Sequence, residues 1–241
     1  MKIVVLTRNP RGIASRLLAR RALEVELVVL DESPGPSARR KLRKLRRVGW
    51  TAAPVGLALR RAYARAQGPL PHVEELGVPV LHVPTLNGDA ARAALTGVDV
   101  ALSLDNKLLS EATFSTPELG TLNVHHGAVP GYRGGPPVFW ELADGHTTVG
   151  FTIHRIDAGI DTGPVLARGD VEIERRRTLG ATLAATIPRL HDASLDALER
   201  LLASGRLEGE PQSGGGRART TPTLADYLRV RRALRNYDQR P

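Results

Sequence analysis

The chain has 241 residues, 41% of them hydrophobic, and a formal net charge of +9. That size suits one large domain with a sizeable core, an aliphatic core because only 4% of residues are aromatic. There is no cysteine, which excludes disulfides, thiol nucleophiles and thiolate metal sites. The basic balance favours anionic partners without choosing among phosphates, polyglutamated cofactors, nucleic acid and acidic membrane.

Residues 2–7 (KIVVLT) form a compact apolar run of the kind buried in a parallel strand, and residues 12–23 follow with helical composition. Further strands are predicted at 26–31, ended by Ser33-Pro34-Gly35-Pro36, and at 78–83, 99–104 and 120–124, with helical segments between several of them. Strands alternating with helices predict βαβ units and a parallel sheet, whose ligands bind at the carboxyl ends of the strands. Residues 147–156 and 164–173 read as two more strands, an antiparallel extension of that sheet. Residues 179–203 read as a long amphipathic helix with Leu183, Ile187, Leu190, Leu195, Leu198 and Leu201 on its apolar face. The expected organisation is a catalytic domain over 1–205, a Gly-rich linker over 206–222 and a short helical tail over 223–241. The apolar stripe of that tail could serve a homodimer.

The segment 38–66 stands apart, with Arg39, Arg40, Lys41, Arg43, Lys44, Arg46 and Arg47, then Arg60, Arg61 and Arg65. It reads either as an anion- or partner-binding insertion or, the preferred reading, as a solvated helix docked through its leucines. No run approaches the roughly 20 apolar residues needed to span a membrane, and the N-terminal run lacks a secretory signature. A soluble, cytoplasmic protein is expected.

Polar residues with catalytic chemistry concentrate among glycines and prolines between residues 123 and 163. Alternate side chains of an extended segment share a face, so Asn123 and His125 point to one site while Val124 points into the core. An Asn amide donates a hydrogen bond without titrating, and a His exchanges protons near neutrality. Asp161 lies in Gly159-Ile160-Asp161-Thr162-Gly163, where glycines allow a tight loop that carries a carboxylate to a ligand. Such a set suits attack of an amine on a carbonyl carbon: a donor for the developing oxyanion, a second donor, and a route for the surplus proton. No partnering ligands stand at metal spacing, so no metal is expected.

The Asn-x-His pair, the block Val129-Pro130-Gly131-Tyr132-Arg133-Gly134 with Pro137 and Trp140, and the later Asp-x-Gly loop together resemble the folate-dependent formyltransferases. The likeness runs from about residue 98 to 166, with a weaker Rossmann-like match from residue 1. It implies an α/β, Rossmann-like fold and 10-formyltetrahydrofolate as formyl donor, with Asn123, His125 and Asp161 as the catalytic set. It further implies cofactor contacts from Asn106, Lys107, Leu108 and Leu109 and from Ile156, Asp157 and Ala158. His126, Gly127, Arg133 and His154 are the candidate acceptor-side residues, Arg133 more as a brace of its loop and His154 leaning to a structural role.

The chain departs from the family pattern in three places. His126-Gly127 follows the catalytic His where Pro-Ser is usual. Thr7-Arg8-Asn9-Pro10-Arg11-Gly12 replaces a Gly-Asn-Gly-Ser phosphate turn. Fewer than 80 residues follow Leu166, too few for the C-terminal barrel of the tRNA-acting members. The expected reaction is formyl transfer to the amine of a small molecule, an amino sugar nucleotide or an amino-acid-like acceptor. One alternative is a hydrolase that releases formate from the same cofactor. Another is a basic nucleic-acid-binding or regulatory protein on the same scaffold, motivated by the run at 39–47 and by Arg229, Arg231, Arg232 and Arg235. The intact Asn-x-His and Asp set speaks against a purely binding role.

Overall fold

The structure, a computed structural model, describes residues 1–35, 37, 39, 43, 52–214 and 218–237. Most of the basic run between Arg39 and Arg47 lies outside the described residues. The apolar runs become strands β1 (Ile3–Thr7), β2 (Val25–Asp31), β3 (Val80–Val83), β4 (Val100–Leu104) and β5 (Thr121–His125), followed by β6 (Thr148–Arg155) and β7 (Val165–Glu172). They form one sheet of order β3-β2-β1-β4-β5-β6-β7. The first five are mutually parallel, and β6 and β7 add antiparallel. β1 and β4 are buried along their whole length, as expected of strands covered on both faces.

The helices are α1 (Ile13–Arg20), α2 (Ala52–Ala66), α3 (Asp89–Leu95), α4 (Glu111–Phe114), α5 (Phe139–Ala143), α6 (Leu179–Ser204) and α7 (Leu224–Tyr237). On one face, α1 and the C-terminal half of α6 meet Ile3, Val5, Val100, Leu102 and Leu122. On the other, Val4, Leu6, Val29 and Ala101 meet Ala91 and Leu95 of α3. A third cluster lies among α2, α5, α7 and the N-terminal half of α6, against Val149 and Phe151 of β6. Val230 and Leu234 of the terminal helix are 1% exposed within that cluster, while Leu224 and Leu228 of the same helix are 38% and 50% exposed.

The described parts of the stretch expected as a linker, 206–214 and 218–222, pack into the fold as well; residues 215–217 lie outside the described residues. Glu210 and Val165 exchange backbone hydrogen bonds at 2.8 Å in each direction, and the Arg219 N–H donates to the Arg133 carbonyl at 2.7 Å. A Cβ on Gly209 would lie 2.7 Å from Pro164, so this glycine permits close packing there.

α6 is fixed to the sheet from two sides. Arg16 of α1 donates to both carboxylate oxygens of Asp192 at 2.8 Å, and Arg20 pairs with Asp196 and Glu199. Behind β5, the ring of His126 stacks on His191 of α6 at 4.7 Å between centroids. The Ser194 hydroxyl donates to the His191 carbonyl, so His126 Nε2 carries the hydrogen in its 3.2 Å contact with Ser194 Oγ. Burial and the neighbouring ring drive the basicity of His126 well down, and burial together with Arg16 brings His191 to about 4.

Both rings are therefore neutral in the folded protein at neutral pH, whereas the unfolded chain protonates histidine near pH ~6.5. A folded-state value below the unfolded one means that the unfolded chain binds more protons as pH falls, so stability drops through that window. Urea unfolding is expected to show a loss between pH 6.5 and about 4, on the order of 3 kcal/mol from His191 alone. His191→Gln should flatten that dependence relative to the parent, measured over the same pH series.

Candidate active site

β5 ends at the carboxyl edge of the sheet with Asn123 and His125 on one face and Val124, 8% exposed, in the core. Its pairing with β6 sets Asn123 opposite His154 and His125 opposite Thr152. The 156–163 loop folds back over this face. There the Asp161 carboxylate meets His125 Nδ1 at 3.4 Å and His154 Nε2 at 3.5 Å, and Oδ2 accepts the Gly134 N–H at 2.9 Å. The loop is closed by Asp157 Oδ1, which accepts from Gly159 N and from the Thr162 hydroxyl.

The hydrogen bonds fix the ring nitrogens. His154 Nδ1 lies 3.0 Å from the Arg155 carbonyl, which can only accept, so Nδ1 is the donor. In the neutral ring Nε2 then accepts from Asn123 Nδ2 at 3.2 Å. That contact turns the Asn123 amide so that its NH₂ group lies on the His154 and Asp161 side. His125 Nε2 lies 2.7 Å from the Tyr132 carbonyl and is likewise the donor, which leaves Nδ1 facing Asp161 as the position that can take a proton. Burial lowers the basicity of His125, against the opposing pull of Asp161 and of the Tyr132 carbonyl. Burial alone would raise the Asp161 carboxyl; the His154 and His125 rings and the Gly134 N–H outweigh it and hold the carboxyl at about 2. At neutral pH the cluster is a carboxylate between two imidazoles, His125 among them neutral.

Gly127 explains how the ring and the Tyr132 carbonyl come so close. A Cβ there would stand 2.3 Å from the Tyr132 carbonyl oxygen and 2.6 Å from His125 Nε2. The turn is secured from β6, where the Thr152 hydroxyl donates to the Gly127 carbonyl at 2.8 Å and accepts from Val129 N. Arg133 Nε donates to the Pro130 carbonyl and braces this loop. His126 points behind the sheet, onto α6, and is not among the groups gathered around Asp161.

The two expected cofactor loops leave β4 and β6. Asn106 Nδ2 donates to the Leu6 carbonyl and to Ser103 Oγ, while its Oδ1 is buried with no hydrogen-bond partner among the described residues. Lys107 Nζ reaches Ser33 Oγ at 2.7 Å, and the Ile156 N–H donates to the Thr121 carbonyl. Leu108 and, two residues beyond Ala158, Ile160 are 66% and 47% exposed. An orphaned acceptor and two exposed aliphatic side chains fit a flat, hydrogen-bonding ring system such as a pterin. Leu109 packs partly buried against the core, and Asp157 shapes its own loop. Among the described residues no three His, Asp or Glu side chains group as metal ligands, and no helix is long and apolar enough to cross a membrane.

Sequence reasoning missed the Tyr132 carbonyl, the Gly134 N–H and Gln212, whose Nε2 donates to the carbonyls of Asp161 and Gly163. Two of these are backbone atoms without a side-chain signature, and the third sits in a segment that reads as a linker.

Residues 90–198 match the formyl transferase family. A methionyl-tRNA formyltransferase of Deinococcus radiodurans is 37% identical over 134 residues, covering 53% of this chain and 42% of that protein. One from Paracoccus denitrificans is 36% identical over 169 residues, covering 65% and 54%. The chain spans about half the length of the curated relatives it matches. In fold it is similar to a sugar N-formyltransferase from a Shewanella species, with a TM-score of 0.60, 15% identity, and coverage of 97% of this chain and 87% of that one. Residues 90–198 thus carry the likeness to the formyl transferase family, and the fold around them is similar to that of solved formyltransferases.

Proposed function

We propose that the protein transfers a formyl group from 10-formyltetrahydrofolate to an amine, with Asn123, His125 and Asp161 as the catalytic set. The observation that carries this reading is the convergence of the three side chains at the carboxyl edge of β5. Asn106, Lys107, Leu108 and Leu109 from one loop and Ile156, Asp157 and Ala158 from the other would hold the cofactor. When bound, it supplies an activated formyl carbon.

Each residue then has a definite task. The Asn123 NH₂ group donates to the negative charge that develops on the formyl oxygen, oriented for this by His154. The Asp161 carboxylate faces the positive charge that develops on the attacking nitrogen. His125 Nδ1, whose other nitrogen is anchored on the Tyr132 carbonyl, takes the surplus proton directly or by way of Asp161. The low value of the Asp161 carboxyl keeps it ionised throughout the working range of pH.

For the acceptor, the relatives matched by sequence favour the amine of a methionyl-tRNA over the small amine expected from the residues alone. The surface supports a polyanion. Arg229, Arg231, Arg232 and Arg235 are exposed on α7, and Arg60, Arg61 and Arg65 on α2, two helices packed on each other. The N-terminus of α1, by contrast, is filled by a carboxylate. Asp105 Oδ2 accepts from Asn9 Nδ2 at 3.2 Å and from Ile13 N at 3.4 Å, so a nucleotide phosphate is not favoured there.

Asn123→Ala is expected to keep the fold, judged by circular dichroism, and to lower kcat roughly 10²–10³-fold; full activity in the variant would remove Asn123 from the mechanism. With 10-formyltetrahydrofolate present, formylated product should appear with methionyl-tRNA, and the rate should fall steeply with salt. Product formed only with an amino sugar nucleotide would establish the small acceptor. Formate release indifferent to any amine would establish a hydrolase.

A further inference from the structure

Among the described residues Asp161 is one of four non-glycine residues with positive φ, at 51°. An L-residue adopts this left-handed region at a cost, so something outside the residue must hold it there. The side chain has its own partners, but those contacts require the backbone already to be turned. The backbone has a separate one. Gln212 Nε2 donates one hydrogen to the Asp161 carbonyl at 3.0 Å and the other to the Gly163 carbonyl at 2.8 Å. The two bonds bracket Thr162 and clamp the descending arm of the loop.

Gln212 is itself well anchored. The Glu210–Val165 bridge lies two residues before it, and the Leu207 carbonyl accepts from Arg155 Nη2 at 2.8 Å. Farther along the same segment, Arg219 bridges to Gly134, the residue whose N–H feeds Asp161 Oδ2. Arg219 is held in turn by Asp144 and lies over the rings of Tyr132 and Trp140. One segment thus grips the Asp161 environment from both sides, through the backbone at Gln212 and through the Gly134 donor at Arg219.

We infer that Gln212 is a positioning residue: its amide holds the Asp161 backbone in the left-handed turn that aims the carboxylate at His125 and His154. Its catalytic consequence rests on the proposed triad, whereas its structural consequence does not. The test uses the full chain with ¹⁵N-labelled histidine. Asp161→Asn defines how the His125 Nδ1 resonance moves when the carboxylate is lost. Gln212→Met, of similar length and without a donor, should move that resonance in the same direction. The ring of His82, exposed on β3 and paired with Glu32 and Glu74, should stay unmoved as the internal control.

In steady-state assays the same variant should lose about 10–100-fold in kcat with KM for 10-formyltetrahydrofolate changed less than about twofold. An unmoved His125 resonance in a folded Gln212→Met protein overturns the inference, whatever the activity. A moved resonance with unchanged turnover upholds the positioning and refutes the triad. Should Gln212→Met fail to fold, Gln212→Glu keeps the shape and replaces the donor by an acceptor; the same shift is expected and the same null result overturns the inference.

Discussion

The register between β5 and β6 is the constraint on which the site depends. It sets Asn123 against His154 and His125 against Thr152. A slip by one residue would turn Asn123 and His125 into the core and Val124 out of it. What prevents the slip is apolar: Val124 and Ile153 face each other in the same buried cluster as Leu122 and Leu102. The polar chemistry on one face is therefore fixed by hydrophobic packing on the other. Thr152 extends the register into the next turn, since its hydroxyl ties down the Gly127 carbonyl and so the loop that brings the Tyr132 carbonyl to His125.

The same alternation explains what could be read from the chain and what could not. Buried parallel strands announce themselves as short apolar runs, and all five lie where those runs predict them, within a residue or two. Asn123, His125 and Asp161 stood out as polar groups among turn formers. His126 shows a conflict between two kinds of reasoning. Alternation places it behind the sheet, where it stacks on His191, while its departure from a family pattern had suggested the acceptor. Physical direction was the better guide. Residues 206–222 were opaque for another reason. Polar, glycine-containing sequence reads as flexible, but Gly209 is small because Pro164 is close, and Gln212 is polar because two carbonyls need a donor. Composition alone does not separate a glycine that bends from a glycine that makes room.

Burial acts in opposite senses on the two titratable partners and yields a useful charge state. It disfavours the charged form of each, raising a carboxyl and lowering an imidazole. Asp161 escapes the first effect because the His154 and His125 rings and the Gly134 N–H favour its charged form, and His125 yields to the second. Near neutrality His125 is uncharged and the carboxylate stays ionised. Attack of an amine on a carbonyl creates the reverse dipole, positive on nitrogen and negative on oxygen. On the proposed mechanism, a fixed negative group facing the nitrogen and an uncharged donor, Asn123, facing the oxygen would match it without any reorganisation of charge at the moment of reaction.

The placement of charge bears on the acceptor in the same way. In an open α/β sheet, the crevice where strand order reverses, here between β1 and β4, is the usual place for an anionic group, helped by the positive end of the following helix. In this chain Asp105 already answers the α1 amide at Ile13, and a Cβ on Gly12 would lie 2.2 Å from its carboxylate oxygen. Any large negative charge on an acceptor must then be met away from that crevice. The exposed arginines of α7 are one such place. α7 packs against α5, and α5 continues directly from the block at 129–137 that carries the Tyr132 carbonyl and the Gly134 N–H. A polyanion resting on α7 would be held beside the loop that shapes the reaction site, with only its amine inside. Such a division of labour, with charge recognised on a helix and chemistry done on a strand, would suit the proposed acceptor, much larger than its reacting group.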